Sequence, residues 1–501
     1  MEKSIIIIGA GLAGLSAGCY GQMNGYRTSI FEMHDKSGGV CTGWKRKGYT
    51  IDGAMDWLVG TRPGKVFHSI WQELGALQGK TIINHDVYMR VEGEGSQVFT
   101  VYADLDRLQQ HMDALAPEDK EVTASFIKAV RTCARIDMPV EKAPELYSFV
   151  DGVKMIGMLP SMGFLRKWSK VSTADYARRF KNPFLREALS ETMAGDMPDF
   201  SVLTVLMTLA WLHEKMAGYP LGGCLELVRS IEERYLGLGG DLHLGARVDK
   251  ILVENDKAVG IRLADGSERR ADTIISAADG HATIFRMLDG KYADDKIRAY
   301  YDQLSLFPPL IYVGLGVART FGDLPSCVVG LSLPLESPAI IAGKEHRRIG
   351  VQIYNFDPTL APEGKTVLKV QFNTDYDYWY KLRQEPERYR EEKERIADQV
   401  VALLDRRFPG LAADVEMRDV ATPITWERYT GNWRGSYEGW LPKPGFLLNR
   451  MSKTLPGLRD FYMAGQWVEP GGGMPTAVMS GRNVIQVICK RDKVTFAAKT
   501  P

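Results

Sequence analysis

The first hydrophobic run covers residues 5–8, four isoleucines that glycine stops at once. A β-branched run this short predicts a buried strand. Residues 12–24 carry small side chains on one side (Ala13, Ala17, Gly18, Gly21) and predict a helix. A second strand is expected over 27–32. Strand, helix and strand in this order imply a parallel sheet. Between 63 and 215 the pattern changes to helical periodicity, as at 119–134 and 201–216, with few strand signals. Residues 201–212 are apolar almost all round, which predicts a deeply buried helix or one lining a pocket. Residues 222–236 repeat apolar positions at Leu225, Leu227, Val228 and Ile231 and predict another helix. The following stretch to 279 alternates strongly and predicts four short strands with turns at 254–257 and 265–267. Further strands are expected at 306–317, 349–373 and 460–464. A charged amphipathic helix is expected at 386–406, and a last helix at 475–489.

The link between the first strand and helix reads Gly9-Ala10-Gly11-Leu12-Ala13-Gly14. GxGxxG alone is weak, but here a strand precedes it and a small-residue helix follows. Gly9 permits the tight turn, Gly11 lets backbone N–H groups approach a pyrophosphate, and Gly14 lets the helix pack close to the sheet. The helix N-terminus offers free N–H groups and partial positive charge to the phosphates. Glu32, 18 residues after Gly14, can accept from both hydroxyls of a ribose and would repel a 2′-phosphate. After five intervening residues stands the pair Gly38-Gly39. That extension is typical of FAD rather than NAD sites, and no second strand-linked glycine motif appears. The sequence at 237–240 is glycine-rich but follows a helix, where a C-cap turn is expected.

The 501 residues are long for one core and suggest two or three regions. A hydrophobic share of 45%, a charged share of 25% and a net charge of +1 are ordinary for a soluble globular chain, and the charge gives no sign of a nucleic-acid partner. The 50 glycines suit a backbone that must come close to phosphates. Six scattered cysteines form no CxxC, so neither a disulfide framework nor a redox dithiol is expected. No leader pattern and no run of about 18 apolar residues is present, so the expected location is the cytoplasm.

With these residues the sequence resembles the phytoene desaturase, carotenoid isomerase and retinol saturase group, within the amine-oxidase-like flavoproteins. The resemblance spans nearly the whole chain. It rests on IIIIGAGLAGLSAG with Glu32 and Gly38-Gly39, on Gly48-Tyr49-Thr50-Ile51-Asp52-Gly53, on Tyr219-Pro220-Leu221-Gly222-Gly223 with the strand at 245–251, and on residues 461–477. It implies an α/β fold: a discontinuous Rossmann-type FAD domain with an inserted α+β substrate domain. The expected segments are 1–62, 216–290 and 421–501 for FAD, 63–215 for a helical region facing substrate or membrane, and 291–420 for a substrate sheet. The resemblance implies that Leu12, Ala13 and the glycines touch the pyrophosphate, that Glu32 beside Met33 holds ribose, and that Val248 lies by adenine. It also implies that Gly465 approaches the ribityl or phosphate region, and that Gly473 and Met474 open a helix facing the flavin pyrimidine. Such a helix end stabilises negative charge on a reduced flavin. Val40 stands where the family usually has arginine; Lys45, Arg46 and Lys47 are candidates to replace that charge.

The family segment near the flavin face reads Ala54-Met55-Asp56-Trp57-Leu58 here, an acid and an indole that suggest a substrate other than a long carotene. Asp56 is the first acid–base candidate, with an ordinary capping aspartate as the alternative. Glu469 is the second. Trp57 and Trp467 are expected at the substrate pocket. His213 and Glu214 read as a helix-end surface pair, and no metal spacing is present. Residues 147–170, rich in Met, Phe and Leu, precede Arg178 and Arg179. That composition suggests membrane contact over 147–181, on the inner face, with a mobile lid or plain packing as alternatives. The charged run at 386–396 reads as a solvated helix face. The leading expectation is an FAD enzyme acting on carbon–carbon bonds of a lipophilic, isoprenoid or polyene-like substrate, by desaturation, saturation or isomerisation. The alternatives are a flavin amine oxidase and a non-enzymatic prenyl or lipid binder built like the GDP-dissociation inhibitors. The electron partner is left open among nicotinamide, quinone and oxygen.

Overall fold

A computed structural model describes residues 3–136, 140–151, 159–194, 197–444, 451–469 and 471–501. The four isoleucines of the first run are all buried, in the strand Ser4–Ile8. That strand is the central one of five parallel strands, in the order Asp241–His243, Arg27–Phe31, Ser4–Ile8, Thr273–Ser276 and Phe461–Met463. Chain segments far apart in sequence therefore complete one sheet. Helix Leu12–Met23 covers it together with the last helix, Met474–Asp492. Those helices touch through Gly481, where a Cβ would lie 2.2 Å from the Ala13 carbonyl oxygen. On another side of the first helix, a Cβ on Gly18 would strike the Tyr235 ring of helix Gly223–Gly237 at 2.7 Å.

The alternating stretch after 237 holds five strands rather than the expected four. Asp241–His243 and Thr273–Ser276 join the parallel sheet, while Val248–Glu254, Lys257–Leu263 and Glu268–Arg270 form a separate antiparallel sheet. The turn residues Asn255 and Asp256 take positive φ there.

The second large sheet has seven strands, in the order Val415–Ala421, Leu310–Val317, Thr366–Asn373, Lys344–Ile353, Cys327–Ile341, Val87–Glu92 and Val98–Tyr102. Helix Pro386–Arg407 packs on it through Ile396, Ala397, Val400 and Leu404 and leaves its charged face outside. Two of its parts escape the sequence pattern. The hairpin Val87–Glu92 with Val98–Tyr102 comes from the region read as helical, and its runs are too short to stand out there. The strand Cys327–Ile341 contains Gly330, Pro334 and Pro338, ordinarily strand breakers. It accommodates them by register shifts against its neighbours. Helix Val202–His213 is buried on nearly every side, among Leu105–Leu115, Lys120–Ala134 and Pro183–Ala194. No helix among the described residues is long and apolar enough to cross a membrane. The six cysteines are all buried and free.

Candidate active site

The glycine turn is built for a close backbone approach. Gly9 has φ +96°, and its N–H donates to the Phe31 carbonyl at 2.8 Å. A Cβ on Gly14 would lie 1.9 Å from the Gly9 carbonyl oxygen, so only glycine closes the turn onto the helix. Gly38 and Gly39 take φ +122° and +60°, and the Gly38 N–H donates to the Ala10 carbonyl at 2.9 Å. The two glycine segments therefore lie against each other at Gly11 and Gly38. Val40 follows them, partly buried. Glu32 is buried at the strand end, accepting from Ala10 N at 2.7 Å and from His34 N at 2.9 Å. Burial pushes its carboxyl up, and those two N–H groups pull it down. It braces the turn and keeps a second lone pair on each oxygen. Met33 beside it is exposed, and Val248 is buried at the start of its strand.

The last helix closes this cradle. Gly465 has φ +100°; its N–H donates to Ser480 Oγ at 2.9 Å, and a Cβ there would sit 3.6 Å from the Ala13 Cβ. Gly473, φ +82°, precedes Met474 at the helix start, and no side chain caps that end or the start of the first helix at Gly11. Cys41 Sγ lies 3.5 Å from Met474 Sδ, which ties the second glycine segment to this N-terminus. Ser37 Oγ and Thr42 Oγ1, on either side of the glycine pair, are buried without a hydrogen-bond partner among the described residues. Orphaned buried hydroxyls are rare in a finished core. Two uncapped helix starts, two glycine segments and two orphan donors fit a bound dinucleotide pyrophosphate. The candidate replacements for the family arginine point elsewhere. Arg46 pairs with Asp419 at 3.5 Å, Lys47 reaches the Glu416 carbonyl, and Lys45 is exposed.

A second cluster is built by the segment after the strand Tyr49–Asp52. That strand crosses the substrate sheet closely: a Cβ on Gly314 would meet the Ile51 side chain at 2.6 Å, and one on Gly316 would meet the Tyr49 ring at 2.6 Å. Asp52 is buried and accepts from Met55 N at 2.7 Å and Cys224 N at 2.6 Å, fixing the turn against helix Gly223–Gly237. The next acid, Asp56, then meets the sheet. Its Oδ1 accepts from Lys369 Nζ at 2.8 Å. Lys369 is opposite Gly314 in register, so no side chain from the neighbouring strand stands between them. Its ammonium also lies 5.5 Å from the Tyr354 ring centre and 5.8 Å from that of Tyr312. Burial, then the charge of Asp56, pushes the phenols of Tyr88, Tyr312 and Tyr354 up. Trp57 packs edge-on against Tyr88, at 6.1 Å between centroids.

Glu438 lies beyond the helix Pro423–Thr430, where the charge of Asp56 is felt. Its carboxyl lies against Gly472, where a Cβ would approach it at 3.0 Å. Burial pushes it up to about 7; the Gly473 N–H lowers it and the charge of Asp56 raises it.

The other sequence candidates lie apart from this pair. Glu469 is held by Lys453 at 2.5 Å, and that lysine also binds Glu145 at 2.6 Å. Trp467 is enclosed by Tyr301, Trp433 and Trp440 rather than open to a pocket. His213 and Glu214 line an open cleft of about 550 Å³ with Arg62, Lys80 and Lys215, where Arg62 binds Glu214 at 2.6 Å. Tyr219 and Gly222 both donate to Asp357, so their motif joins the two sheets' loops. Among the described residues no group of side chains is arranged to hold a metal ion.

Residues 12–489 match the family model described as flavin containing amine oxidoreductase. Among curated proteins, the chain is 26% identical to a neurosporene-forming phytoene desaturase of Rhodobacter capsulatus, over 96% of this chain and 93% of that one. It is also 26% identical to a chloroplastic prolycopene isomerase of Daucus carota, over 96% of this chain and 79% of that one. Among solved structures, an oxidoreductase from Methanosarcina mazei superposes with a TM-score of 0.61 at 19% identity, covering 96% of this chain and 100% of that one.

Proposed function

The chain belongs to the family of flavin-containing amine oxidoreductases and is an FAD-dependent oxidoreductase, and we propose that it acts on carbon–carbon bonds of a lipophilic, polyene-like substrate. FAD supplies the hydride chemistry when bound. The chain's own part is to hold it and to manage the proton. We assign the pyrophosphate to Gly9, Gly11, Leu12, Ala13, Gly14, Gly38, Gly39 and Val40. Glu32 with Met33 takes the ribose and Val248 the adenine. Gly465 takes the ribityl side, and Gly473 and Met474 the pyrimidine.

The observation that carries the reading is the ion pair of a buried Lys369 with a partly exposed Asp56. Asp56 places an acid–base group there, whereas Glu469 is anchored by Lys453. The curated relatives named for phytoene and prolycopene chemistry support a polyene.

An apolar substrate must come from a membrane or a carrier. Phe149, Val150, Leu159 and Met162 are exposed apolar side chains, and Arg166, Lys167, Lys170, Arg178 and Arg179 are exposed beside them. That combination favours peripheral contact with an anionic bilayer over 147–181, on the cytoplasmic side. Residues 152–158 of that stretch lie outside the described residues.

The test is turnover of phytoene and of prolycopene in phosphatidylcholine vesicles, with NADPH, a quinone or oxygen offered separately, beside turnover of simple primary amines. Conversion of a polyene with no peroxide from amines is the expected result. Amine oxidation with peroxide release, and inert polyenes, would overturn it.

A further inference from the structure

The cleft of about 550 Å³ beside His213 and Glu214 is built on fixed backbone. The strand Ala217–Pro220 pairs with Leu58–Val59 on one side and with Ile82–Ile83 on the other. Gly60 N donates to the Met216 carbonyl at 2.7 Å, and Gly218 N donates to Thr61 Oγ1 at 2.9 Å. These bonds fix the chain where Arg62 and Lys215 enter the cleft, and Lys80 enters from the turn before Ile82. Three cations thus line one cleft with a single carboxylate, Glu214. That carboxylate is engaged: Arg62 donates to its Oε2 at 2.6 Å and to the Glu214 carbonyl at 2.8 Å. Lys80 and Lys215 have no ion-pair partner among the described residues. The carboxylates that Lys80 senses, Glu226 and Glu233, are held by Arg229 at 3.0 and 3.7 Å. Lys80 is partly buried, and a desolvated ammonium without a counter-ion carries a cost that an incoming anion removes. Lys215 takes φ +53° just past the helix end, where glycine fits without strain. His68 Nδ1 and His213 Nδ1 lie 3.1 and 3.3 Å from the Gly60 and Ala103 carbonyls, so each holds its proton there and leaves Nε2 to accept. Gln72 Nε2 meets the Nε2 of His68 at 3.3 Å.

We propose that this cleft is a second binding site, for a soluble phosphate ester of nucleotide size. Lys80 and Lys215 take the phosphate oxygens, and the Nε2 of His213 accepts from a hydroxyl of the ligand. Leu77 and Ile82, on the same lining, meet its organic part. The volume is far more than a phosphate fills and falls among pockets of roughly 300–1,000 Å³ that hold small organic ligands. Arg62 stays with Glu214, so the one carboxylate of the lining does not repel the anion. None of the residues assigned to FAD lines the cleft, so the ligand binds beside the flavin and not in its place. The site is independent of which bond the flavin acts on.

The test is calorimetric titration of the FAD-loaded protein with ADP and, separately, with inorganic pyrophosphate. ADP is expected to bind saturably, one per chain, with the visible flavin bands unchanged. Lys80→Met and Lys215→Met should each weaken it by about tenfold or more, as for the loss of one charge-assisted contact. Lys120→Met, at an exposed lysine on another helix, should leave the affinity unchanged. Neither cleft lysine holds an ion pair in the free protein, so both variants should keep the wild-type thermal midpoint. Added salt should weaken binding, because the contacts are ionic and partly open to water. Pyrophosphate should bind more weakly than ADP, since it leaves the apolar side empty; equal affinity would overturn the assignment of an organic ligand. Absence of saturable ADP binding overturns the proposal. So does binding that survives both cleft substitutions, that Lys120→Met weakens equally, or that releases FAD.

Discussion

Lys369 stands in the middle of Thr366–Asn373, a strand otherwise rich in apolar residues. Alternation puts it on one face with Gln371, opposite Leu368, Val370 and Phe372. In a half-buried antiparallel strand such polar positions read as solvent-facing, which is why the sequence offers Asp56 and hides its partner. The polar face here is covered by the segment after Asp52. Replacing Lys369 with Met leaves Asp56 unpaired. Losing one member of a buried pair costs about 3–5 kcal/mol; with Asp56 partly exposed, about 2–3 kcal/mol is expected, read from urea unfolding of the holoprotein. A loss below about 0.5 kcal/mol would mean that the pair is not closed to water. Glu438 was equally hidden, because a glutamate in a loop carries no pattern. Its folded value of about 7 lies above the ordinary 4.5, so the folded state binds the proton more tightly. Stability is then full below about pH 4.5 and falls as pH rises toward 7. Asp279, pushed up from 3.8 to about 6 by burial, adds a fall over its own window. Glu438→Gln should remove the upper part of that fall in thermal midpoints measured against pH, and leave the part due to Asp279. An unchanged slope above pH 6 would contradict the burial argument.

At the scale of elements, the parts legible in the sequence are those where one local rule decides. The glycine turn, the buried first strand, the charged helix Pro386–Arg407 and the apolar helix Val202–His213 each follow from a run or a period within the segment itself. The hairpin at Val87–Glu92 and Val98–Tyr102 does not, since it is held by a strand more than two hundred residues away. The division of the five strands after 237 between two sheets is likewise set by distant partners. The packing of the last helix on the first shows the same dependence. Its contact point, Gly481, lies in a helix interior where glycine is ordinarily unfavourable. Gly481→Ala should push the helices apart, because its Cβ would meet the Ala13 carbonyl at 2.2 Å. The expected cost is about 1–3 kcal/mol with a marked loss of bound FAD, measured by unfolding and by cofactor release. Retention of FAD at wild-type level would show that the cradle does not depend on this contact.

For the molecule as a whole, the sequence pattern already contained the cofactor half of the site, since a dinucleotide cradle is a local strand–turn–helix device. The proposed substrate half was legible only as Asp56 and Trp57. The residues around Asp56, namely Lys369 with Tyr312 and Tyr354, are brought together only by the folded sheet. The exposed apolar side chains of Phe149, Val150, Leu159 and Met162 lead to an expectation for the intact protein. It should sediment with vesicles containing phosphatidylglycerol, less so at high salt, and Phe149→Ser should weaken that binding roughly tenfold, as expected for losing a buried aromatic contact. Binding unaffected by salt and by this change would place the contact elsewhere. The most direct test of the account is the visible spectrum of the purified protein, before and after adding phytoene in vesicles without oxygen. The expected result is the pair of bands of oxidised flavin, at one FAD per chain, bleaching on addition of the polyene. A protein that stays colourless even after incubation with FAD would contradict it.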